Sequence, residues 1–190
     1  MSSAFEQACR VETASREIIE PLLERHTDGR FVYTDKGRLS REFQAKYGDL
    51  LIQDKRNKEM LAVEMKAERR SSSNLFLEIF SNGSRYKPGW MLGNEADLLF
   101  YHFLDADELY IIKLPDLKNW FWFGRGPVRT SGTNIQYLPA YMRFKHKQQK
   151  QYNQMNDTWG VLVPIETIAR EVRLKKINPM GLFGLQQEAA

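Results

Sequence analysis

The sequence predicts an α/β domain with a mixed central sheet flanked by helices. Short apolar runs of strand character alternate along the chain with stretches of helical periodicity. The 190 residues are the length of one domain, and 42% apolar residues is ordinary for a chain that buries its own core. With Cys9 the sole cysteine, no internal disulfide is possible, so the fold must rest on packing, as suits a reducing cytoplasm.

Residues 3–26 read as a helix, because Phe5, Ala8, Val11, Ala14, Ile18, Leu22 and Leu23 recur at helical spacing. Pro21 is expected to kink that helix or to start a second piece. Phe31, Val32 and Tyr33 form a short strand, and residues 40–47 a short helix stopped by Gly48. Residues 49–53 and 60–66 read as two strands joined by the polar turn 54–59, a β-hairpin. A third strand covers 75–80. Asn94 is expected to cap a helix over 95–104. Residues 109–114 read as a buried strand, and Pro115 opens a helix to about Phe123. Residues 124–140 read as loop, and 141–156 as loop or exposed helix. A last strand at 159–163 and a last helix at 165–172 follow. The expected organisation is one domain over 1–177 and a loose tail over 178–190.

The net charge of +4 is unevenly distributed. Residues 117–190 hold 11 Lys and Arg against 4 Asp and Glu, whereas residues 1–116 hold 17 against 20. A polyanionic partner would therefore meet the C-terminal third. The N-terminus has no apolar segment of secretory type, and no apolar run approaches the roughly 20 residues of a membrane helix.

Polar side chains at the ends of apolar strands carry the chemistry. Glu64 and Lys66 interrupt the apolar run that starts at Met60, and residues two apart in a strand share a face. Asp49 opens the preceding strand. A hairpin turning about Asn57 and Lys58 would set Asp49 across from Lys66, on that face; a one-residue shift would turn it away. Two neighbouring carboxylates repel each other, and a divalent cation reverses that preference. Mg²⁺, or Mn²⁺, takes hard oxygen ligands and keeps several waters, so Asp49 and Glu64 suit it. Lys66 would orient or deprotonate a water, or stabilise charge on a phosphoryl group. The competing interpretation is a surface Glu64–Lys66 pair with Asp49 an unrelated turn residue.

Asp49, fourteen residues, then Glu64, Met65 and Lys66, on a hairpin that follows a helix, resembles the motif of the PD-(D/E)XK nuclease superfamily. The resemblance covers roughly residues 5–115. It implies a restriction-endonuclease-like fold and metal-dependent hydrolysis of DNA, often as a homodimer on duplex DNA. It also implies Asp49 and Glu64 as metal ligands, the backbone carbonyl of Met65 as a further ligand, and Lys66 as the catalytic lysine. Gly48 stands where many members carry proline. Some members add a glutamate from the first helix, for which Glu12, Glu17, Glu20 and Glu24 are the candidates; Glu12 lies nearest the apolar sector. Glu78, on the third strand, is another candidate carboxylate. The alternative is an inactive module of the same fold that binds DNA or a protein partner, such as a phage or mobile-element accessory factor.

Other features have two readings each. Arg143, Lys145, Lys147 and Lys150 would track a phosphate backbone or form a solvated surface. Arg38 and Arg41 would grip phosphates beside the scissile bond or be exposed helix charges. The aromatic run 120–123 fits core or an oligomer contact better than base stacking, and His102 fits a satisfied core residue. His26, His102 and His146 have no zinc-like spacing with Cys9.

Overall fold

The computed structural model describes residues 4–25, 31–33, 40–129, 135–152 and 157–181. The chain folds as two compact units. The first comprises Met1–Ser72, Asn94–Ile112 and Leu174–Ala190; the second comprises Ser73–Gly93 and Lys113–Arg173.

The first unit is helices on a mixed six-stranded sheet. Its elements are α1 (Ala4–Arg25), β1 (Phe31–Tyr33), α2 (Arg41–Tyr47), β2 (Leu50–Asp54), β3 (Met60–Glu68), β6 (Leu98–Phe103), β7 (Glu108–Lys113) and β12 (Leu174–Ile177). The strand order is β1-β2-β3-β6-β7-β12. Pairing is antiparallel for β1 with β2, β2 with β3 and β7 with β12, and parallel for β3 with β6. Ile19, Leu22 and Leu23 of α1 close the core over Leu50, Ile52, Val63, Met65, Phe100 and Leu109. Each such side chain contributes roughly 1.5–3 kcal/mol on full burial.

The inward stripe of α1 is Ser15, Ile19, Leu22 and Leu23, about one residue around from the stripe centred on Ile18 that the apolar residues suggested. Helical spacing then carries the stripe back to Glu12. Pro21 neither ends nor divides the helix, which runs through it to Arg25.

The expected helix over 95–104 is instead strand β6. Leu98 to Phe103 is a short, continuous apolar run, and Leu99 to Phe103 are all buried. A strand of a parallel pair covered on both faces reads this way, and periodicity alone does not separate it from a buried helix. Asn94 is accordingly not a helix cap; its Oδ1 accepts from Ala96 N at 2.7 Å, a turn that leads into β6.

The second unit holds β4 (Asn74–Asn82), β5 (Lys87–Pro88), α3 (Trp90–Gly93), α4 (Leu114–Trp122), β8 (Gly126–Arg129), β9 (Ile135–Leu138), α5 (Ala140–Phe144), β10 (Gln148–Tyr152), β11 (Asp157–Pro164) and α6 (Ile165–Glu171). Its sheet, in the order β10-β11-β4-β5, is antiparallel throughout, and β8 and β9 form a separate hairpin. Residues 126–129 and 135–138, read as loop, are therefore a β-ribbon, and β10 arises in the polar stretch read as loop or helix. The glycines and prolines of 124–140 and the polar makeup of β10 hid them, because edge ribbons are held by backbone pairing. β12, which follows the strand expected to be last, was missed for the same reason: Lys175 and Lys176 occupy two of its four positions. Residues 182–190, most of the expected tail, lie outside the described residues, while Met180 and Gly181 N–H groups donate to the Asp107 carboxylate. Among the described residues no helix is long and apolar enough to cross a membrane.

Gly48 pins the β2–β3 hairpin. It ends α2, donating to Gln44 O at 3.0 Å, with φ of +99° and ψ of −173°, a region open in practice only to glycine. A Cβ at this position would lie 2.6 Å from Val63 O and 2.8 Å from Glu64 N. This also accounts for the absence of proline before Asp49, since proline fixes φ near −65°. Gly48→Ala should destabilise the protein by about 2 kcal/mol or more in chemical denaturation. Gly181→Ala, whose added methyl meets Asn178 Cβ at an ordinary 3.7 Å, should stay within about 0.5 kcal/mol of the parent. Equal stability of the two variants would refute this account of the hairpin.

Candidate active site

The register of the hairpin sets the site. Leu50 pairs with Val63 and Gln53 with Met60, two residues away from the register that a turn about Asn57 and Lys58 would produce. An even shift preserves the alternation of faces. Val63 and Met65 enter the α1 core, and Glu64 and Lys66 alternate with them on the other face.

Asp49 lies just before β2, where the ladder ends. Its N–H donates to Val63 O at 2.8 Å, and its Oδ2 accepts from Met65 N at 2.9 Å. The side chain thus continues the ladder in place of a backbone carbonyl. Arg16, one turn after Glu12 on α1, sets its Nη2 at 3.8 Å from Asp49 Oδ1 and 3.5 Å from Asp49 O.

Glu64 is buried, its side chain 6% exposed, and both oxygens are engaged. Lys66 Nζ contacts Oε1 at 2.7 Å, and Asn94 Nδ2 donates to Oε2 at 2.6 Å. Burial opposes the charge on Lys66. The Glu64 carboxylate in contact, with Asp49 and Glu12 acting through space, outweighs that opposition and holds the ammonium above its usual range. Burial raises the carboxyl of Glu12 above the ordinary glutamate range; Lys66 and Arg16 counter this and Asp49 reinforces it.

Among the described side chains of the first-helix glutamates, Glu12, itself half-buried, is the one electrically coupled to the motif. Glu17 is exposed and Glu20 half-buried, and the side chain of Glu24 lies outside the described residues. Glu78 belongs to β4 of the second unit. Met65 is fully buried, in register with Phe100 of β6. Asn94 and Arg16 were not identified from sequence. Arg16 was legible as the residue four after Glu12 on one helical face; Asn94 had no such signal, since it meets Glu64 only once β6 lies beside β3.

Of the basic candidates, Arg143, Lys145, Lys147 and Lys150 belong to the second unit. Arg38 lies outside the described residues, and Arg41 begins α2 with a side chain outside them. Arg143 is bound to Glu171, Nη1 to Oε1 at 2.8 Å and Nη2 to Oε2 at 2.6 Å. Lys145 is exposed on a 3-10 turn, Lys147 stands over the Phe144 ring at 5.8 Å, and Lys150 is in β10 with its side chain outside the described residues. Trp120 and Phe121 are core, as expected, whereas Phe123 is exposed. His102 is buried on β6, its Nδ1 2.9 Å from Ser15 Oγ, and burial lowers its pKa.

In donor type, the carboxylate oxygens of Asp49 and Glu64 are the hard ligands that a divalent cation takes. Among the described residues no group of three or more His, Cys, Asp or Glu side chains is gathered closely enough to hold an ion. Mg²⁺ characteristically uses one or two carboxylates and completes its shell with water, which Asp49 and Glu64 suit.

The Glu12 carboxyl keeps its proton to higher pH in the folded chain than in the unfolded one. Its ionisation therefore costs stability as pH rises through the folded-state value, and the full cost persists above it. Glu12→Gln should raise the Tm near pH 7 and converge with the parent at about pH 4 and below. Thermal melts across that range check the sign; a variant less stable near pH 7 would contradict it. No family model, curated protein or solved structure matches the chain.

Proposed function

We propose that the chain is a Mg²⁺-dependent DNA endonuclease of the PD-(D/E)XK type, with a restriction-endonuclease-like fold. The observation that carries this reading is the acid–acid–lysine cluster on one hairpin: Asp49 bonded to the Met65 backbone, and Glu64 and Lys66 in contact at 2.7 Å. Asp49 and Glu64, with the Met65 carbonyl, would hold Mg²⁺ or Mn²⁺. When bound, the cation supplies charge against the phosphoryl oxygens and acidifies a water.

The residues of the chain have separable tasks. Lys66 donates hydrogen bonds and positive charge toward the attacking water and the phosphoryl group. Asn94 fixes the rotation of the Glu64 carboxylate through Oε2 and leaves Oε1 to be exchanged between Lys66 and a ligand. Arg16 balances Asp49, and Glu12 adds a third acid whose ionisation a cation would favour. DNA is the substrate that the resemblance implies, and the basic balance of residues 117–190 suits a polyanion.

One observation favours a second reading, that of a catalytically inactive module of the same fold binding DNA or a protein partner. Both Glu64 oxygens and Asp49 Oδ2 already have protein partners, so the cluster is electrically satisfied by Lys66, Asn94 and the backbone. A satisfied polar cluster is stable without metal or turnover.

Incubation with plasmid, linear, single-stranded and branched DNA, with Mg²⁺, with Mn²⁺ and with chelator, separates the two. The endonuclease reading expects metal-dependent cleavage that Asp49→Asn reduces by at least about 100-fold, while the melting curve is preserved because the new Oδ1 still accepts from Met65 N. Lys66→Ala should abolish cleavage too, but it removes the ammonium in contact with the buried Glu64 carboxylate and should cost about 3 kcal/mol of stability. DNA binding indifferent to metal, without cleavage by the parent, would establish the inactive module instead.

A further inference from the structure

The second unit carries an arginine-lined cleft that the reading above does not use. Its volume is about 670 Å³, within the range of small-molecule sites. Arg125, Arg143, Arg170 and the carboxylate-bearing Glu171 line it together with Pro127, Val128 and Phe144. The unit as a whole holds 12 Lys and Arg against 5 Asp and Glu.

The cleft is built around Arg143. Its guanidinium is locked in a two-pronged pair with Glu171, whose Oε2 also accepts from Trp120 Nε1 at 2.9 Å. Those bonds hold the Glu171 carboxyl below its usual range. Gly126 on β8 makes the room, since a Cβ there would lie 2.2 Å from Arg143 Nη1. The Arg143 side chain is 8% exposed, and its buried Nε has no hydrogen-bond partner among the described residues.

The charge count selects the ligand. Glu171 neutralises Arg143. Arg125 and Arg170 are exposed, and neither has an ion-pair partner among the described residues. Three guanidinium groups against the one Glu171 carboxylate leave an excess of two positive charges, which matches a dianion rather than a single carboxylate, and a phosphate monoester carries about −1.5 to −2 near neutral pH. Pro127, Val128 and Phe144 offer an apolar wall to whatever body the phosphate carries.

We propose that this cleft binds a phosphate monoester with a compact apolar or aromatic body, such as a nucleotide. Arg125 and Arg170 clasp the phosphoryl oxygens, and the body lies against the Phe144 wall. The proposal does not depend on the metal-site reading, because every residue it uses belongs to the other unit and no metal is involved.

Calorimetric titration of the full chain in chelator, at fixed ionic strength, tests it with inorganic phosphate, deoxyadenosine 5′-monophosphate and deoxyadenosine. The monophosphate should bind more tightly than inorganic phosphate, and deoxyadenosine should not bind measurably. The double variant Arg125→Ala/Arg170→Ala should fold normally, since both side chains are exposed, and should bind the monophosphate at least about 10-fold more weakly. Arg143 is left intact because its loss would strand Glu171 and Trp120. Short oligodeoxynucleotides with and without a 5′-phosphate identify the source: preference for the phosphorylated strand assigns a strand end, and binding of the free monophosphate alone assigns a nucleotide. No binding of the monophosphate at about 1 mM, equal binding by the double variant, or equal binding of deoxyadenosine would each overturn the proposal.

Discussion

The contact of Gly48 with the Val63 carbonyl governs the first unit. Because position 48 lacks a Cβ and takes a backbone conformation closed to other residues, the chain leaving α2 can turn directly onto β3. That turn delivers Asp49 to the Met65 N–H and begins β2 at Leu50 opposite Val63. The same register sends Leu50, Ile52, Val63 and Met65 into the core beneath α1 and leaves Glu64 and Lys66 on the alternate face. The placement of the polar cluster and the packing of the core are thus one constraint seen from two sides.

The cluster shows how a buried carboxylate is kept tolerable. Glu64 is almost wholly removed from water, a placement that would favour its protonation or drive it outward if it were unpartnered. Lys66 supplies a full charge at contact distance and Asn94 an amide hydrogen bond from the far side, so each oxygen has its own donor. Asn94 performs this task because β6 runs parallel to β3 and brings the turn before its first residue beside Glu64. Between β3 and β6 the chain passes through β4, β5 and α3, so this pairing joins residues thirty positions apart. Glu12, by contrast, is half-buried, and the desolvation of its carboxyl outweighs the opposing charges of Lys66 and Arg16.

The two units use charge differently. In the first, acids outnumber bases around one lysine. In the second, arginines outnumber acids around one glutamate, and Glu171 is held by two arginine hydrogen bonds and a tryptophan. The uneven distribution along the chain therefore corresponds to two local environments of opposite sign.

Local pattern was sufficient for α1, α2, α4, α6 and the β2–β3 hairpin, whose periodicity, caps and turn residues all agree. It also located Asp49, Glu64 and Lys66 as polar residues out of place in apolar strands. It left the choice among four helical glutamates open, although Glu12 lay nearest the apolar stripe. What local pattern could not decide was every feature set by partners distant in the chain. Whether residues 98–103 form a helix or a strand depends on whether β3 lies alongside, since an apolar run satisfies either. The thin strands β8, β9, β10 and β12 exist because neighbouring backbones supply hydrogen bonds that their own side chains do not announce. The role of Asn94, the hairpin register and the pairing of Arg143 with Glu171 belong to that same class, because each is a meeting between segments whose local sequences contain no record of one another.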